Sequence, residues 1–192
     1  MVEVEAAEKP ADATGLLLTS NPVLIVITCD YCTTMALYNR WQNEVLFTCC
    51  DRLSTAQLEE NRGMFFGSIF NTLNHILHVD QAILTMIYTG VLPSNFKPDV
   101  VPCSSYKALK LARDEFDQQL IQESQTIKQE WLDDVFEFWS DRLQKQRRLS
   151  RGFYYVQLFN HQTHHRSQVT SELHRLGIDY GNTDLPFNPY YP

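Results

Sequence analysis

Six histidines stand among the 192 residues, and three of them can converge on one point. His161 and His165 lie in a stretch whose apolar residues recur at helical spacing. At 100° per residue the two are about 40° apart and one turn along, roughly 6 Å by rise. Two imidazoles so placed can grip one ion. His75 lies in another helical stretch, at the edge of an apolar arc that runs from Met86 through Val79, Ile83, Ile87 and Leu73 to Phe70. A third histidine from a neighbouring helix gives three protein ligands, which leaves a metal open to water or substrate as in catalytic rather than closed structural sites. The spacing alone is equally compatible with solvated or core histidines that hold no metal. His164 falls on the polar side of its helix and His78 opposite the centre of the apolar arc, so neither belongs to the set. The run His161-Gln162-Thr163-His164-His165 has the histidine spacing of a zinc protease but carries Gln162 where the general-base Glu would stand. A helical metalloprotease is therefore excluded.

Asp80 falls in the middle of the apolar arc, where a carboxylate must find a partner. Arg40 and Arg166 are candidates to pair with it or to hold an anionic substrate, and Asp80, Asn160 and Gln168 are candidates to orient the imidazoles. Four helical stretches carry these residues, expected near 30–53, 65–89, 104–128 and 152–176. The first shows Tyr31, Met35, Tyr38, Trp41, Val45, Cys49 and Leu53 at three- and four-residue intervals after Asp30, a plausible N-cap. The second stops at Gly90 and Pro93, the third is capped by Ser104 or Ser105, and the fourth stops at Gly177. Between the last two, the alternating VFEFWS segment predicts a short strand, paired with the stretch around Arg148 within residues 135–149. No amphipathic helix of this kind is stable alone, and four pack most simply as a bundle.

Sixteen Lys and Arg against 23 Asp and Glu give a net charge of −7, which argues against a generic nucleic-acid binder. An apolar content of 44% with 20% charged residues excludes global disorder. The five cysteines, Cys29, Cys32, Cys49, Cys50 and Cys103, are odd in number and lack framework spacing. With an acidic rather than basic N-terminal stretch they predict reduced thiols in a cytoplasmic protein. Cys29 and Cys32 form one CxxC, with no second pair to complete a zinc site. The most apolar run, Val23 to Thr28, is too short to span a bilayer. Residues 1–29 read as a partly disordered N-terminal extension and 30–192 as one domain.

The stretch FNHQTHHRSQ, Phe159–Gln168, closely resembles the signature of the DinB-like (damage-inducible) metal-binding proteins. YCTTMALYNRWQN (Tyr31–Asn43) resembles that family's first helix, and RGMFFGSIFNTLNHILHVD (Arg62–Asp80) its second. TDLP (Thr183–Pro186) is similar to its tail. The resemblance implies an all-α, up-down-down-up four-helix bundle with a long crossover between the second and third helices. It implies a divalent metal, nickel or zinc, held by His75, His161 and His165. It also implies thiol-dependent chemistry, such as S-transfer by a low-molecular-weight thiol onto a small electrophilic substrate, in a detoxifying role. A homodimer formed through a helical face is a further expectation. Ser167 stands where the family usually has Gly, and Leu84 where it has Trp, so substrate does not carry over with the ligands. The alternative is a non-catalytic metal-binding stress-response protein.

Overall fold

A computed structural model describes residues 27–94, 96–140 and 143–191. Most of the extension expected over 1–29 lies outside the described residues. Six α-helices follow in order: α1 (Cys29–Cys50), α2 (Thr55–Glu59), α3 (Ile69–Thr89), α4 (Tyr106–Ser124), α5 (Gln129–Asp133) and α6 (Arg151–Arg175). The strands β1 (Val135–Ser140) and β2 (Lys145–Ser150) sit between α5 and α6. Every long helix opens on a hydroxyl that accepts from a backbone N–H three residues on: Thr28 for α1, Ser68 for α3, Ser105 for α4 and Ser150 for α6. Such caps satisfy donors that have no intrahelical partner. The first helix is thus capped by Thr28 rather than Asp30. It ends at Cys50 instead of reaching residue 53, and α3 begins at Ile69 rather than at residue 65. Phe65 and Phe66 belong instead to a turn closed by Gly67, whose φ of 81° is left-handed and suits glycine.

The four long helices touch in a ring, α1 against α4 and α6, and α3 against α4 and α6, with the α3–α6 contact the most extensive. The core holds Ile69, Leu73 and Ile76 from α3, Leu109, Phe116 and Leu120 from α4, and Leu158, Val169 and Leu173 from α6. The inward side of α1 departs from its expected apolar stripe. Asn39, Gln42 and Asn43 are buried there, while Met35, Trp41 and Val45 are only half-buried. The reason is on α4: the Asn43 amide donates to both oxygens of the buried Asp117, at 3.1 and 2.9 Å, and the Asn39 amide to Oδ1 at 3.0 Å.

The predicted strand pairs antiparallel with β2, Glu137 opposite Arg148. Its inward side sets Phe136 and Phe138 against Tyr154 of α6. The segment from Gly90 to Ser105 crosses from α3 to α4 and passes over the first of the three histidines.

Candidate metal centre

α3 presents His75 and α6 presents His161 and His165, and one ring nitrogen from each lies within 4.8 Å of the others. The ring centroids of His75–His165 and His161–His165 are 4.7 and 4.5 Å apart. The extensive α3–α6 contact makes this convergence, which neither helix encodes alone. Phe66 stacks on His75 at 3.8 Å between centroids and covers the cluster from the α2–α3 turn.

The nitrogens turned away from the cluster are held by acceptors. His75 Nδ1 lies 2.7 Å from the Pro98 carbonyl in the crossover. His165 Nδ1 lies 2.8 Å from Gln168 Oε1, one turn along α6. A neutral imidazole carries a single N–H, and a carbonyl oxygen only accepts. His75 and His165 therefore place their N–H at Nδ1 and leave Nε2 bare.

His161 sits between His75 and Asp80. Its Nε2 is 3.2 Å from His75 Nε2, and its Nδ1 is 4.0 Å from Asp80 Oδ1. Both His161 Nδ1 and Asp80 Oδ1 are buried with no hydrogen-bond partner. With its proton on Nε2, His161 would donate to His75 but turn a bare nitrogen toward the carboxylate. With its proton on Nδ1, it faces Asp80 correctly and confronts His75 with a second bare nitrogen. A cation shared by the Nε2 atoms would satisfy both sides at once. The donor set fits such an ion: three neutral imidazoles, each with its far nitrogen facing an oxygen, as metal-ligating histidines typically are.

Burial lowers all three imidazoles below the ordinary histidine value, His161 to about 3, and for His161 the neighbouring His165 and His75 lower it further. They are neutral at neutral pH, the form in which histidine ligates. His78 is half-buried and His164 exposed. His78 holds the Lys97 carbonyl at 2.9 Å, and His164 touches the centre only through the edge of the His165 ring.

Asp80 finds a partner that the sequence reading missed. Arg113 of α4 donates to its Oδ2 at 2.6 Å, and Gln162 does so at 2.7 Å. Arg40 pairs instead with Glu44, one turn along α1, and Arg166 donates to Asn39 Oδ1. Burial pushes Asp80 up to about 6, against the pull of Arg113 and Gln162. Asn160 is exposed and takes no part in the cluster, whereas Gln168 does orient His165. Arg113 follows Leu109 by four residues and precedes Asp117 by the same interval, so it lies on the buried stripe of α4. An arginine at a core position opposite an unpartnered core aspartate was the available signal.

Fold and site define a mostly helical protein with a small two-stranded sheet and a group of three histidines able to hold a metal ion. The DinB family model matches residues 27–191, and the chain belongs to the DinB family. No curated protein and no solved structure matches it. Among the described residues no helix is long and apolar enough to cross a membrane.

Proposed function

We propose that His75, His161 and His165 hold one divalent ion, nickel or zinc, at the centre of a thiol-dependent transferase with a detoxifying role. Bound there, the ion supplies Lewis acidity at open positions and lowers the pKa of a thiol or water beside it. The observation that carries the reading is the pair of buried orphans, His161 Nδ1 and Asp80 Oδ1, against facing Nε2 atoms. The chain itself supports an external nucleophile. The three-histidine group includes no cysteine, and burial pushes the Cys32 and Cys50 thiols up to about 12. Asp80 is committed to Arg113 and Gln162 and acts by orienting His161, while Phe66 and the crossover exclude water from one side. The four long helices run up-down-down-up in this reading, with the Gly90–Ser105 segment as the long crossover, and the protein works as a cytoplasmic homodimer.

The test is metal content of protein purified without a His tag, followed by a conjugation screen. Low-molecular-weight thiols, among them glutathione, bacillithiol and mycothiol, are offered with small electrophiles to the metal-loaded protein. Conjugation that disappears with His161→Ala supports the reading. Bound metal with no conjugation in any combination favours the non-catalytic metal-binding alternative. Light scattering at micromolar concentration checks the dimer.

A further inference from the structure

Arg166 is next to His165 in sequence but about 100° around the helix from it, so it faces α1 rather than α3. Its side chain is buried, at 6% exposure. Among the described residues no carboxylate oxygen lies within 4.0 Å of it, in contrast to Arg113, which has two such partners. Its fixed contacts are neutral: Nη1 donates to Asn39 Oδ1, Nη2 reaches Thr163 Oγ1 at 3.4 Å, and the guanidinium lies over the Tyr38 ring. A guanidinium has five N–H donors, and the partners they meet here, Asn39, Thr163 and Tyr38, are all neutral. A buried, permanently charged group without a contacting counter-charge is costly.

This cation lines a cavity of about 290 Å³ between α1, α6 and the C-terminal tail. Tyr38, Gln42, Thr163, Thr170 and Ser171 form much of the wall around Arg166. The tail roofs it and is fixed in place, since Tyr38 Oη donates to the Thr183 carbonyl at 2.6 Å and Gln42 to the Asn182 carbonyl. Thr163 Oγ1 accepts from Arg166, which leaves its own hydroxyl proton free to donate. The cavity therefore offers a guanidinium and a hydroxyl donor, and no carboxylate among its lining residues.

We propose that this α1–α6 cavity is an anion site, in which Arg166 and Thr163 bind a compact oxyanion carried by a small polar molecule, as a carboxylate or a phosphate. The guanidinium offers such groups the planar fork of donors that arginine typically presents to them. The site does not depend on the metal centre, because its donors lie on another face of α6.

Thermal melts and calorimetric titrations of the full chain test it, with inorganic phosphate and acetate as probes against chloride at equal ionic strength. Saturable binding and a raised melting temperature are expected with at least one probe. A response to phosphate alone assigns a phosphate-bearing ligand, and a response to acetate alone a carboxylate. Arg166→Gln should weaken binding at least tenfold. Thr170→Phe, which fills the cavity while leaving Arg166 and its contacts in place, should do the same and guards against a folding defect in the first variant. His75→Ala should bind the probes as the wild type does. Equal melts in all three salts, or probe binding that survives both Arg166→Gln and Thr170→Phe, would overturn the proposal.

Discussion

Two buried polar clusters share α3 and α6 in this molecule, and they are built on opposite terms. One is the charge network of Asp80, Arg113, Asp117 and Arg166, with Asn39, Asn43 and Gln162, which draws on all four long helices. Its two carboxylates share the Arg113 guanidinium and the side-chain amides of Asn39, Asn43 and Gln162, while Arg166 reaches it only through Asn39. Arg113 bridges Asp80 and Asp117 at 2.6 and 2.7 Å. The other is the histidine cluster, three neutral rings whose inward nitrogens face one another, with His161 Nδ1 buried and unpartnered. Asp80 belongs to both: Oδ2 serves the network, and Oδ1 faces His161 without a bond. The network ties the four long helices together by charge, whereas the histidine cluster is the arrangement proposed to hold an ion.

The sharpest break in this contrast is Arg113→Met. It leaves Asp80 and Asp117 buried without their shared cation, and removing one partner of a buried pair typically costs about 3–5 kcal/mol. Denaturant unfolding should show that loss with and without chelator, because the network acts in the fold itself. The histidines should behave otherwise. In the wild type, free metal at about 100 times Kd should stabilise by roughly 2.7 kcal/mol, read as the difference between melts with metal and with chelator. In His75→Ala, His161→Ala or His165→Ala that difference should collapse.

Asp80→Asn sits where the clusters meet. An amide in place of the carboxylate removes the negative charge that faces His161 Nδ1 at 4.0 Å, and loss of such an outer partner typically lowers metal affinity about 10–100-fold. The same change weakens the Arg113 pair, so stability and affinity should fall together, unlike either set above.

Acidification sharpens the comparison further. The folded-state pKa values of the three histidines lie below the unfolded value of about 6.5, His161 at about 3. The unfolded chain then takes up protons that the folded chain refuses. These groups therefore cost no stability above about pH 6.5 and progressively destabilise the metal-free fold as pH falls from there toward 3. Asp80, raised to about 6, contributes with the opposite sign over the same range. Subtracting the pH profile of His161→Gln from that of the wild type in chelator isolates the His161 contribution. The difference should grow as pH falls. The smallest effects belong to His78→Ala and His164→Ala, which should leave metal content within error of the wild type.

The legible part of the sequence was whatever repeats along one element. Apolar arcs on α3 and α6 located the helices, Gly90 and Gly177 their ends, and alternating aromatics the strand at Val135–Ser140. The phase of α6 put His161 and His165 together and set His164 aside. The polar inward side of α1 was not legible, because Asn39 and Asn43 look like surface residues until Asp117 stands opposite them. Arg113 was missed for the same reason, since its partner comes from another helix and periodicity along α4 says nothing of α3. The short helices α2 and α5 escaped notice as well, although the Ser54–Gln57 capping box marks the start of α2. The role of the crossover, whose Pro98 carbonyl fixes His75, depends on a path that no local pattern encodes.

The central claim is that the three Nε2 atoms wait for one cation. Metal analysis per chain, on tag-free wild type and on His75→Ala, His161→Ala, His165→Ala and His164→Ala equilibrated with nickel or zinc and desalted, tests it most directly. The account predicts about one ion per chain in the wild type and in His164→Ala, and little or none in the other three. Metal kept by His165→Ala but lost by His164→Ala, or a content that none of the four changes alters, would contradict it.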